Sequence, residues 1–537
     1  MTVARTVADV LAEHVTFEVE CIDRLYLNVY QPKLQYAVGL AHYVHEQLGL
    51  PIASTAPLGK ISDRFVREVD RFARSEGIEQ VSFVKGQRKD DVMLDRLRRF
   101  TPVEGVVFIG RAQEKNTVFR TEKRRYPDGV SYPWIVRATG VINQFYFYCV
   151  DADFGPFFLK FSSYFPYTGK LCINGHHWAQ RQAAKAGLGF TAMDNAFAAV
   201  DDPVALQAIC DRLGPAAIQA LLDKWLTILP NPFAQADRDA GYEYQLSVLQ
   251  AELSLTQMLD SPVSGRIFFE QVIRDNLDIG RPDQVSLVFD RGLKRTGPRA
   301  TPGRFRTRVI TEGVTPSLHV DYKHTTIKQY HKEGRALRTE TTINDSMDFV
   351  IRKGLGNLPA LREIGLRANR RLLGVQRLDH DPITGTRDLH TVIDPVVTDS
   401  GTRIPGLRLG QQRSHALLSA LLKFRLQPDG FTNHDLRSLT AELRGLPPEA
   451  VTAGQMTYDL RRLRSHGLIG KIPHSRRYQV TDHGLSTAMF LTRVHDRLLP
   501  TGLAVLADTQ TPRPLRAAAT AYQTAFDKLV KATGLAA

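Results

Sequence analysis

Four residues within the segment 320–345, VDYKHTTIKQYHKEGRALRTETTIND, are of the types that phosphodiester chemistry uses. Tyr330 offers an oxygen nucleophile or a stacking surface, and Glu340 a base or a ligand for a divalent cation. Lys328 and Arg338 can clamp phosphate oxygens. The segment alternates as β-strands do, and Glu333 and Gly334 supply a tight turn, so 327–332 and 335–343 are expected to form a hairpin. Lys328, Tyr330 and Lys332 share a face of the first strand, Arg338 and Glu340 a face of the second. A two-residue loop holds these faces apart, whereas a three-residue loop with a bulge brings them together; the sequence leaves both open. The alternative role for Arg338 and Glu340 is an ion pair within a basic hairpin.

Further carboxylates would be needed to hold Mg²⁺. Asp151 and Asp153 follow the apolar run QFYFYCV, at a strand end where metal sites form, and would require a third oxygen ligand from Glu114 or Glu340. His176 and His177 open the helical segment HHWAQRQAAKAG. Adjacent histidines on a helix point about 100° apart, so capping and packing, or a phosphate at the helix N-terminus, suit them better than one shared metal. The segment 85–89 lacks the spacing of a phosphate-binding loop, which leaves nucleotide hydrolysis without support.

The pattern Tyr-x-Lys followed by Arg-x-Glu on the next strand, within 304–345, resembles that of the rolling-circle replication initiators of plasmids and filamentous phages. That resemblance implies Mg²⁺-dependent nicking of one DNA strand by Tyr330. The His-hydrophobic-His metal motif of those proteins is not present in its usual form. The chain as a whole resembles a family of uncharacterised bacterial proteins through GRALRTETTIN, NLPALREIG and LCINGHHWAQRQ, a similarity that carries no function with it.

A second set of candidates lies near the C-terminus. QRSHALLSALLKFRL, TNHDLRSLTAELRG and TAGQMTYDLRRLRSHG read as three helices, the second opened by a capping Thr432 or Asn433. LIGKIPHSRRYQVTDHG then gives two short strands around a basic turn, and LSTAMFLTRVHDRLL a closing helix. This order resembles a winged helix-turn-helix. In the third helix Met456, Leu460 and Leu463 form an inward stripe, leaving Gln455, Tyr458, Arg461, Arg462 and Ser465 to face a major groove. Arg476 and Arg477 in the turn would lie against phosphate. A third basic concentration, GRAQEKNTVFRTEKRR, interleaves Lys115, Arg120, Lys123, Arg124 and Arg125 with Phe119 and precedes Tyr126 and Trp134, a mixture suited to phosphate contact with base stacking. The other reading of the third helix is a solvated charged face or a protein-interaction module, and that of the third basic concentration a solvated loop between strands.

These elements need a scaffold. The 537 residues imply several domains, 43% hydrophobic content supports real cores, and a net charge of +14 favours a polyanionic partner. The four cysteines show no C-x-x-C spacing, and no apolar run is long enough to span a membrane, so a cytoplasmic location is expected. The expected fold is a multidomain α/β chain of mixed, largely antiparallel sheets with helices. Its divisions are a mixed domain over 1–200, a helical region over 201–280 that includes YQLSVLQAELSLTQML, and a basic β-rich region with helices over 281–378. A linker over 379–408, a winged-helix domain over 409–500 and a helical tail over 501–537 complete it. VSLVFDR reads as a strand and SMDFVIRKG as a helix. The function expected is DNA processing in replication or a mobile element, with Mg²⁺-dependent nicking or cleavage. The alternatives are a non-catalytic DNA-binding regulator and a protein that binds single-stranded RNA.

Overall fold

Long alternating apolar patterns organise the first half of the chain into one sheet. The computed structural model describes residues 5–499 and 524, apart from 85, 261, 277, 278, 280, 281, 292–300, 311–315, 379–381, 399, 409 and 425–429. The expected tail over 501–537 therefore lies almost wholly outside the described residues. The chain divides into two compact units, Met1–Leu378 and Asp379–Ala537.

Eleven strands form the main sheet of the first unit. They are β1 (Val15–Tyr30), β2 (Gln80–Ser82), β3 (Gly105–Arg125), β4 (Ser131–Asp151), β5 (Gly155–Ser162), β6 (Gly169–Asn174), β7 (Gln245–Leu259), β8 (Arg304–Ile310), β9 (Ser317–Lys323), β10 (Thr325–Lys332) and β11 (Ala336–Ile343). Their spatial order is β8-β9-β10-β11-β7-β1-β6-β5-β4-β3-β2, antiparallel throughout except for the parallel pair β2 and β3. Mixed α/β architecture with a large, mostly antiparallel sheet is thus what the chain adopts.

A single sheet running from residue 15 to 343 removes the expected division at 200 and 280. The decisive segment is β7, which lies at the centre between β1 and β11 rather than forming a helix. Leu246 and Val248, then Ala251, Leu253 and Leu255, are buried in steps of two, as a strand requires. A bulge between Val248 and Gln250 turns one step into three, which imitates a helical period. Two shorter segments also exchange roles. VSLVF lies in the helix Pro282–Phe289, and SMDF makes only a 3₁₀ turn that ends at Val350 with φ of 63°.

Helix α1 (Gly175–Lys185) follows β6 directly, and its first residue explains how closely it can pack. A Cβ on Gly175 would lie 2.0 Å from the carbonyl oxygen of Ile22, so only glycine allows this approach. Helix α2 (Leu358–Val375) covers the opposite face of the central strands. Its Asn369 accepts from the Thr341 hydroxyl at 2.7 Å and donates to the Leu253 carbonyl at 2.9 Å.

In the second unit, α3 (Gln412–Phe424), α4 (Asn433–Leu443) and α5 (Ala453–Ser465) precede two short antiparallel strands, β12 (Ile469–Lys471) and β13 (Tyr478–Val480), and a closing helix, α6 (Asp482–Arg493). Thr432 and Thr452 each close a capping box on the following helix, with Asp435 and Gln455. Leu417, Leu421, Leu436, Met456, Leu460, Leu463 and Ile469 share one core. The expected linker over 379–408 is part of this unit: Pro382–Ile393 is helical and Val392 and Leu407 enter the same core. Weak apolar periodicity hid it.

Candidate nucleic-acid interface

The β10–β11 turn has three residues, since Lys332 pairs with Ala336. Glu333 and Gly334 take left-handed φ of 47° and 69° to make it. This is the arrangement that aligns the two polar faces, and Tyr330 stands opposite Arg338 while Lys328 stands opposite Glu340. The Tyr330 hydroxyl donates to Glu340 Oε1 at 2.8 Å, and the Lys328 ammonium lies 4.3 Å from the Tyr330 ring centre. Burial, reinforced by Glu340, raises the Tyr330 phenol above its usual range.

Arg338 takes a different part. It is 0% exposed and donates to Asp23 Oδ2 at 2.7 Å, to Glu340 Oε1 and to the Asn195 carbonyl. His176, buried at the start of α1, lies 3.1 Å from the same guanidinium and 3.1 Å from the Ser254 hydroxyl. Desolvation, and then Arg338, hold His176 well below its ordinary pKa, so it is neutral in the fold. The α1 N-terminus is closed by Asn174, whose side-chain oxygen accepts from the backbone N–H groups of His176 and His177. Arg338 is therefore an internal ion-pairing residue, and nothing of its fork is directed at solvent phosphate. The signal that could have marked this group is Asp23, the buried charge of strand β1.

Beside this cluster Glu252 titrates unusually. Burial, with Asp23 and Glu340 adding repulsion, raises it from 4.5 to about 7 even though Arg24 opposes the shift. A carboxyl that is more basic folded than unfolded holds its proton better in the native state. Its stabilising effect is complete below about pH 4.5 and is lost as pH rises through about 7. Glu252→Gln is accordingly expected to raise stability at pH 8 by about 1–3 kcal/mol, with the gain vanishing at pH 4.5. Urea denaturation at the two pH values checks this.

The expected metal set does not assemble. Glu340 on β11 and Asp151 on β4 are separated in the sheet by β7, β1, β6 and β5, five strand steps or about 24 Å. Asp151 accepts from Lys224 at 2.8 Å, from the Trp225 indole at 2.9 Å and from the backbone N–H groups of Asp153 and Phe154. Asp153 pairs with Lys185 and Gln182. Among the described residues, the groups of three that could hold an ion are His324, Asp345 and Asp348, and His415, His495 and Asp496. Neither group contains a residue from the expected set.

The basic segment 115–125 is a strand and not a loop. β3 and β4 pair from Gly105 with Val150 out to Arg125 with Ser131, but β2 stops pairing at Arg111 and β5 at Gln144. The outer half of the hairpin is thus a two-stranded ribbon. Tyr164 and Thr55 support it as far as Phe119 and Thr121. Beyond them Lys123, Arg124 and Arg125 are exposed, as are Lys115 and Arg120 nearer the base. Arg124 lies 4.9 Å over Trp134, the Tyr126 and Tyr132 rings meet at 4.2 Å with a 30° tilt, and Arg120 pairs with Glu122 at 2.8 Å. Trp134 and Tyr126 are 42% and 52% exposed.

On α5 the inward stripe is Met456, Leu460 and Leu463, as the spacing requires, and Gln455, Tyr458 and Arg461 face outward, with Ser465 half-buried. The Gln455 side chain also accepts from the Thr452 backbone N–H, so part of its capacity serves the cap. Arg462 differs from the expectation. It is 7% exposed and donates to the carbonyls of Pro405 (3.0 Å) and Gly406, tying α5 to the segment read as a linker. Arg464, which was not singled out, is the exposed basic residue in its place. In the turn between β12 and β13 Arg476 is exposed, while Arg477 is half-buried and donates to the Gly430 carbonyl at 2.9 Å. No protein-family profile, curated protein or solved structure matches the chain. None of the described helices is long and apolar enough to cross a membrane.

Proposed function

We propose that the chain is a DNA-binding protein whose second unit is a winged helix-turn-helix. The observation that carries this reading is the outward row of Tyr458, Arg461 and Arg464 on α5, with Arg476 exposed in the following hairpin turn. Three helices, two short strands and a closing helix around one core support it, since that order places a third helix in a major groove and a basic hairpin on the backbone. The β3–β4 ribbon tip supports a second contact of the first unit, with aromatics for unpaired bases and arginines for phosphate. Single-stranded RNA would suit that ribbon equally.

One observation favours chemistry as a second reading. The Tyr330 hydroxyl donates to Glu340 beside Lys328, which is a nucleophile, base and cation in sequence. In that reading the reaction is Mg²⁺-dependent nicking. Purified protein incubated with labelled single-stranded, hairpin and duplex DNA, and with single-stranded RNA, with Mg²⁺ or EDTA, separates these readings. Duplex binding without cleavage is the expected result. Failure to bind any of these would sink the primary reading, and cleavage abolished by Tyr330→Phe would establish the second.

A further inference from the structure

A cleft of about 500 Å³ opens beside the base of the ribbon on the polar face of β1, β6, β5 and β4. Two lysines dominate its wall. Lys160 on β5 and Lys170 on β6 are register partners, so two ammonium groups stand side by side on one face. Lys160 is compensated by Glu114 at 2.8 Å, but the same carboxylate also takes Lys89 at 2.6 Å and the Tyr146 hydroxyl. Among the described residues, Lys170 is satisfied only by a neutral acceptor, Asn28 Oδ1 at 2.7 Å. Burial, and next Lys160, lower it to about 8. Lys115 and Arg137 add positive charge at the rim.

A second, independent feature is Gln144. It lines the cleft, is 1% exposed, and neither its Nε2 nor its Oε1 has a hydrogen-bond partner among the described residues. Leaving a buried primary amide without partners is costly, so such side chains face a ligand or ordered water. Asn116 and Ser247 bring further donors and acceptors to the same wall. The cleft's size matches that of small-molecule sites, which run from about 300 to 1,000 Å³.

We propose that this cleft binds a phosphate monoester the size of a mononucleotide or sugar phosphate, its phosphate held between Lys160 and Lys170 and its polar body hydrogen-bonded by Gln144. A dianion fits two adjacent ammonium groups of which only one is neutralised internally, whereas a neutral metabolite would leave their repulsion in place. None of its lining residues belongs to α5 or to the ribbon tip, and it does not depend on the DNA-binding reading.

The test is calorimetric titration of the full chain with 5′-AMP, ribose 5-phosphate, inorganic phosphate, adenosine and a single-stranded oligonucleotide. At least one of the two phosphate esters is expected to bind at one site, and adenosine not to bind. Lys170→Met and Gln144→Leu are each expected to weaken that binding at least tenfold while the thermal transition stays at or above that of the wild type. Binding that persists unchanged in both variants, or no binding of either ester, overturns the proposal. So does loss of oligonucleotide binding in these variants when neither ester binds, because the lysines would then hold a nucleic-acid backbone.

Discussion

Arg338→Ala should destabilise the first unit by about 3–5 kcal/mol, the cost of removing one partner from a buried ion pair. The guanidinium is 0% exposed and serves Asp23, Glu340 and the Asn195 carbonyl at once. Without it two carboxylates from β1 and β11 lose their counter-charge, and His176 loses a neighbour across the sheet. Tyr330→Phe, which removes one hydroxyl hydrogen bond, should cost only about 1 kcal/mol. Urea denaturation monitored by the tryptophans, all of which lie in the first unit, distinguishes the two. Equal midpoints for wild type and Arg338→Ala would mean that the network is not part of what holds these strands together. Arg338→Met, which retains volume and removes charge, should fall between the extremes.

The consequence for function is direct. A clamp on a reacting phosphate needs a guanidinium with unused donors aimed at the substrate, and Arg338 is committed inward. Lys328, Tyr330 and Glu340, each half-buried, are the members of the original four that retain access.

How far the sequence disclosed this depended on the distance between the residues involved. Local signals were readable: the inward stripe of α5, the cap at Thr432, the strands β4 and β5, and the end of α1 before Gly187 all follow from periodicity and turn chemistry. Long-range pairing was not. Whether Tyr330 meets Glu340 turned on one residue of loop length, and Arg338 was drawn inward by Asp23, 315 positions away. The β7 strand was misread because a bulge added one residue to its period. Arg462 lies at the edge of the exposed arc of α5, where the side-chain spacing alone cannot tell solvent from a neighbouring segment that packs there.

Separate effects on duplex and single-stranded DNA are the second large expectation. Removing Arg461, Arg464 and Arg476 together takes three exposed cations from α5 and its hairpin. If all three meet phosphate, the slope of log affinity against log salt should become shallower by about 2.7, at roughly 0.9 per contact, with duplex affinity falling on the order of 100-fold near 0.15 M salt. Arg124→Ala with Trp134→Ala should leave that slope nearly unchanged for duplex and weaken single-strand binding by about 1–3 kcal/mol, the cost of one lost stacking platform. Arg462→Ala is the internal control, because its bonds to Pro405 and Gly406 predict a loss of stability before any loss of contact. Fluorescence anisotropy across a salt series reads the first two, and urea denaturation reads the third. A triple variant with an unaltered duplex slope would overturn the proposed role of α5.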